Sequence, residues 1–117
     1  MYHSCGAVRP FIPGLIGIGV DVLDVLQFSA EGMDPVEIKA SFGDCLSFHG
    51  GLDIQSTLPL GTVEEVRRAA RACMEVMARI GGYILAPTHN VQLDTPPENV
   101  VAMFAEAGSL VRGCMPR

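Results

Sequence analysis

The stretch that decides the fold runs from Thr62 to Ala86, TVEEVRRAARACMEVMARIGGYILA. In its first part Val63, Val66, Ala70, Cys73, Met77 and Ile80 recur at steps of three and four, the period of an amphipathic helix. Thr62 is a natural N-cap with Glu65 three residues on in capping-box relation, and Gly81-Gly82 supplies the stop. Tyr83-Ile84-Leu85-Ala86 then reads as a short buried strand. A polar loop from Thr88 to Thr95 follows, and Pro96-Pro97 opens a last helix around Glu98 to Ala107.

The same grammar extends upstream. Leu46-Ser47-Phe48-His49 reads as a strand ending at Gly50-Gly51, and Asp34-Pro35 starts a short helix through about Ser41. Val22 to Gln27 reads as another strand, Pro10 to Ile18 as a helix interrupted by Pro13 and glycines, and Tyr2-His3-Ser4 as the tail of a first strand. The order is β-α-β-α-β-α-β-α, which predicts a parallel sheet with right-handed crossovers. Such a chain forms an open flavodoxin-like sheet or half of an eight-fold (β/α)8 TIM barrel. Two features favour the half-barrel: the first strand has almost no length, and reactive residues follow every strand. These are His3 and Cys5, Gln27, His49 and Asp53, and His89 and Asn90. In a barrel all of those positions share one mouth, whereas an open sheet gathers them at a single switch point. Residues 1–117 are therefore expected to form one unit, half of such a barrel.

Composition agrees. In 117 residues, 49% are apolar and only 18% charged, so strands buried beneath helices are expected and a disordered chain is excluded. The net charge of -5, with no basic cluster beyond Arg67, Arg68 and Arg71, argues against nucleic acid as a partner. The longest nearly apolar stretch, Pro10 to Val20, is too short for the ~20 residues of a membrane span. The chain opens without the basic and apolar regions of a signal peptide, so a cytoplasmic protein with free thiols is expected. Cys73 lies in a helical pattern and reads as core; Cys45 and Cys114 show no pattern.

Several blocks carry a more specific signal. His3-Ser4-Cys5-Gly6, Gly51-Leu52-Asp53-Ile54-Gln55, Leu60-Gly61-Thr62-Val63-Glu64-Glu65-Val66, Gly82 to Asn90 and Thr95-Pro96-Pro97-Glu98-Asn99-Val100 follow one another in order. Together they resemble the C-terminal part of the uroporphyrinogen decarboxylase (URO-D) superfamily, which also holds the cobalamin-dependent methyltransferases. The resemblance runs from Tyr2 to about Ala107 and implies a (β/α)8 barrel with this chain supplying roughly strands five to eight. The decarboxylases carry an arginine-rich start and a catalytic aspartate in the other half.

His3-x-Cys5 at a strand end resembles the His-x-Cys pair of the zinc methyltransferases, whose third ligand follows the last strand and is usually Cys. Here that position is His89. The resemblance thus implies a zinc site of His3, Cys5 and His89 with an open fourth position, a donor set suited to catalytic zinc. Zinc coordination deprotonates a thiol, which then takes a methyl group from a corrinoid carried by a partner protein. Cys5→Ser is expected to weaken such a site most, because it removes the only thiolate of the three. A histidine at position 89 also resembles the decarboxylases, where it contacts substrate. The alternative is therefore tetrapyrrole decarboxylation without metal, with His89 as a catalytic contact. A third reading is an inactive half-barrel that self-associates or completes another chain. Gln27, Asp53, Gln55 and Asn90 are candidate substrate contacts, although Asp53 equally suits the cap of a turn, and His49 reads as a structural histidine. In a flat sheet the first and fourth strands lie ~14 Å apart, three spacings of ~4.8 Å, so His3 and His89 meet only if the sheet curls.

Overall fold

A computed structural model describes residues 1–114. Four strands, β1 (Tyr2–His3), β2 (Val22–Leu26), β3 (Ser47–Leu52) and β4 (Tyr83–Pro87), pair in parallel in the order β1-β2-β3-β4. Helices α1 (Ile12–Gly17), α2 (Pro35–Phe42), α3 (Thr57–Leu60), α4 (Val63–Met77) and α5 (Pro97–Cys114) connect and follow them, with a 3-10 turn over Arg9–Phe11. The strand order never reverses, which is the order of a barrel sector and excludes the switch point of a flavodoxin-like sheet. Both α/β alternation and parallel pairing are as the sequence predicts.

The helices form one layer on one face. Along β2, Leu23 is buried in the core and Asp24 is partly open, and after a register shift between Asp24 and Leu26 the core position falls on Leu26. Along β3, Phe48 is buried and His49 partly open; along β4, Leu85 is buried and Ile84 exposed. Such alternation marks a sheet covered on one side. The slab-like extents, 40 × 39 × 20 Å, fit one sheet and one helix layer. Leu23, Leu26, Phe48, Ile12, Ile38 and Met77 gather under the first half of the layer. Leu52, Leu58, Val66, Ala70, Leu85 and Met103 gather under the second.

Local chemistry sets the helix starts. Asp34 caps α2 by accepting the Glu37 N–H (2.9 Å), with Pro35 at the first helical position. Thr62 and Glu65 form the expected capping box of α4. That helix ends at Met77, one turn before the expected Ile80, which is exposed. β3 departs from expectation in the other direction and continues through Gly50 and Gly51 to Leu52. The two glycines have φ of +111° and +103°, and a Cβ on Gly50 would stand 2.4 Å from Val25 Cγ2 and 2.9 Å from the Leu26 nitrogen. They therefore mark a close approach of two strands, where the sequence suggests a turn. The α3 turn has no helical period in the sequence and is built on Asp53, as described below.

Candidate functional site

The strand register places one row of side chains across the open face. His3 of β1 pairs with Asp24 of β2, Asp24 with His49 of β3, and His49 with Ile84 of β4. In-register residues of a parallel sheet project to the same side, so a carboxylate stands between two imidazoles. The contacts follow: His3 Nδ1 meets Asp24 Oδ2 at 2.6 Å and His49 Nδ1 meets Asp24 Oδ1 at 2.6 Å. The Asp24 side chain is 19% exposed, that of His49 28% and that of His3 53%, so the row opens towards His3.

Burial raises the Asp24 carboxyl, but hydrogen bonds and charge interaction with His3 and His49 outweigh it and hold the group below its ordinary value. Asp24 is thus ionised at neutral pH and can only accept. Both Nδ1 atoms must donate to it, which leaves each Nε2 on the side away from the carboxylate.

A pocket of about 340 Å³ lies over this row, lined by His3, Asp24, Val25, His49, Ala86, Pro87, His89 and Asn90. His89 enters from the loop after β4, and its ring centroid is 6.1 Å from that of His3 in an edge-on arrangement. The side chains that follow the first and fourth strands thus meet over the row. The formal charge among the lining residues is the Asp24 carboxylate, so the pocket attracts cations and groups with acidic hydrogens.

The predicted residues divide. His3, His89 and Asn90 line the pocket; Cys5 is exposed and is not among the lining residues. The expectation that Cys5 points to the same side as His3 needs an extended backbone through residue 5. Ladder hydrogen bonds continue past β1 to Ser4, whose N–H donates to Asp24 O (2.6 Å) and whose carbonyl accepts from Val25 N–H (3.3 Å), and the chain turns at Gly6 with φ of +82°. Gln27 instead holds that turn, accepting the Gly6 N–H through Oε1 (3.0 Å). Asp53 accepts from Ser56 N–H (2.7 Å), Ser56 O–H (2.6 Å) and Thr57 N–H (3.3 Å), fixing the entry to α3. Burial raises its carboxyl too, yet these bonds hold it below its ordinary value. Gln55 is exposed and outside the pocket. Sequence reasoning missed Asp24 altogether and read His49 as structural. The available signal was a carboxylate at the centre of an otherwise apolar strand, where period two puts it opposite Leu23.

The donors of this pocket suit a zinc ion only in part. His3 fits as a ligand, since an imidazole that donates Nδ1–H to a carboxylate offers Nε2 to a metal. His89 offers a second imidazole in the same pocket. Among the described residues no group of three or more His, Cys, Asp or Glu side chains converges as a metal cluster. Among them, too, no helix is long and apolar enough to cross a membrane.

Comparison with known proteins gives one match. The family model described as "Uroporphyrinogen decarboxylase (URO-D)" matches residues 1–110. No curated protein and no solved structure matches the chain.

Proposed function

The chain belongs to the uroporphyrinogen decarboxylase (URO-D) family, a TIM-barrel family, and from that premise we propose that it serves methyl transfer from a corrinoid to a thiol-type acceptor. The observation that carries this reading is the His3–Asp24 hydrogen bond beside His89. It gives the pocket an imidazole with its Nε2 lone pair turned away from the carboxylate and a second imidazole next to it. Zinc, when bound, supplies the acidity that converts an acceptor thiol to its thiolate at neutral pH. His3 and His89 would hold it, with a third donor that the His3-x-Cys5 motif names as Cys5. Asp24 orients His3 from behind, and its negative charge favours a cation in the pocket. Asn90 at the rim offers an amide to orient the acceptor. The corrinoid would come on a partner protein.

Tetrapyrrole decarboxylation is the competing chemistry. Metal analysis and a methyl-transfer assay of the full chain, with methylcobalamin and a small thiol, test the choice. Stoichiometric zinc, lost in His3→Ala and His89→Ala, supports methyl transfer. Absence of zinc, with turnover of a tetrapyrrole carboxylate that fails in His89→Ala, would replace it with the decarboxylase reading.

A further inference from the structure

At the end of the sheet where β4 begins, away from His89, the helix layer holds a buried cation. Lys39 of α2 is 7% exposed. Its Nζ donates to the Gly81 carbonyl (2.6 Å) and stands 5.5 Å from the centre of the Phe48 ring. Burial pushes this ammonium below its ordinary value, and the charge of Asp44 offsets only part of that. Among the described residues no carboxylate comes within ion-pair distance of Lys39 or Arg79. An ammonium has three donors, and a lysine this deeply buried is ordinarily paired.

Lys39 lines a cavity of about 400 Å³ between α2 and α4, in company with Val36, Val76, Ile80, Glu75 and Arg79. Val36 and Ile80 are large apolar side chains left 59% and 66% exposed. In a chain of net charge -5, the lining carries two cations against one carboxylate. The pocket over the histidine row has Asp24 as its charged group and so has the opposite sign. We propose that the groove between α2 and α4 binds a monocarboxylate with a short apolar chain. The head accepts from Lys39 Nζ and from Arg79, and the chain lies on Val36, Val76 and Ile80. Lys39 keeps its bond to Gly81, because the ammonium has donors to spare. The site shares no residue with the pocket of the preceding reading and does not depend on it.

Titrating octanoate into the full chain, followed by backbone amide NMR, tests the site without any variant. We expect saturable shifts centred on Lys39, Gly81 and Gly82, with the amides of His3, His49 and His89 unmoved. Octanol keeps the chain and loses the charge; inorganic phosphate keeps a charge and loses the chain. Each should bind at least about tenfold more weakly than octanoate. Lys39→Met keeps the apolar stem and removes the ammonium, and is expected to weaken octanoate about 10- to 100-fold. Arg79 and Glu75 are exposed, so their effects are smaller. Arg79→Gln should weaken binding about two- to fivefold, and Glu75→Gln should tighten it by a similar factor.

The site is overturned if millimolar octanoate gives no saturable shift at Lys39, Gly81 and Gly82. It is overturned as a carboxylate site if octanol or phosphate binds as tightly as octanoate, or if a folded Lys39→Met binds octanoate unchanged. Should Lys39→Met fail to fold, the two surface variants decide: unchanged affinity in both Arg79→Gln and Glu75→Gln overturns it as well.

Discussion

The two faces of the sheet are built from neighbouring residues and follow opposite rules. On the helix-covered face, Leu23, Leu26, Phe48 and Leu85 are buried by contacts that any apolar side chain of similar volume could make. On the open face, one residue along each strand, His3, Asp24 and His49 are held by two directional hydrogen bonds. The first face holds the apolar core of the slab and the second holds its polar row. A polar row of this kind is tolerable because Asp24 takes one Nδ1–H from each of His3 and His49 through its two oxygens.

Four measurements break or sharpen that contrast, beginning with the largest effect. Phe48→Ala should cost about 3–5 kcal/mol in denaturant unfolding, whereas its neighbour His49→Ala should cost about 1 kcal/mol. Equal losses would show that the open face is as structural as the covered one. On β4 the pair is Leu85 and Ile84, 8% and 57% exposed. Leu85→Ala should lose about 2–4 kcal/mol and Ile84→Ala no more than about 0.5 kcal/mol. A large loss at Ile84, together with a sedimentation coefficient above that of a monomer, would mean that a second copy covers the open face.

Within the helix layer, Thr62→Ala should cost about 1 kcal/mol by removing the side-chain acceptor of the capping box. Helical circular dichroism should fall with it, and the tautomers of His3 and His49 should not change. The smallest effect is the pH dependence contributed by Asp53. Its carboxyl is lower in the folded than in the unfolded chain, so the unfolded state takes up protons first. The contribution is complete above the ordinary Asp value of 3.8 and is lost as pH falls through the lower folded value. Acid unfolding of Asp53→Asn should therefore be flatter over that range than that of the unsubstituted chain.

The fold was largely legible because its signals are local. The spacing Val63-Val66-Ala70-Cys73-Met77 and the Thr62–Glu65 box mark α4 within one segment, and the βαβ alternation restricts the topology. The ends were less legible: Ile80 fits the helical period, but the chain leaves the helix after Met77. Gly50 and Gly51 looked like a terminator because sequence shows their lack of a side chain and conceals the Val25 and Phe28 atoms that require it. At the site, His3, His89 and Asn90 were named from their places at strand ends, and all three line the pocket. Cys5 was placed beside His3 by strand alternation, and it lies outside the residues that line the pocket.

What the sequence determined by itself is therefore everything carried by neighbours in the chain: the order of helices and strands, their caps, the apolar face of each, and the strand-end position of the histidines. Only the tertiary structure decided that Asp24 stands between His3, 21 residues away, and His49, 25 residues away. Period two assigns Asp24 to a face but leaves open which residues of β1 and β3 stand beside it. That register is set by hydrogen bonds between strands and by the packing of the helices between them, long-range terms that no local pattern encodes.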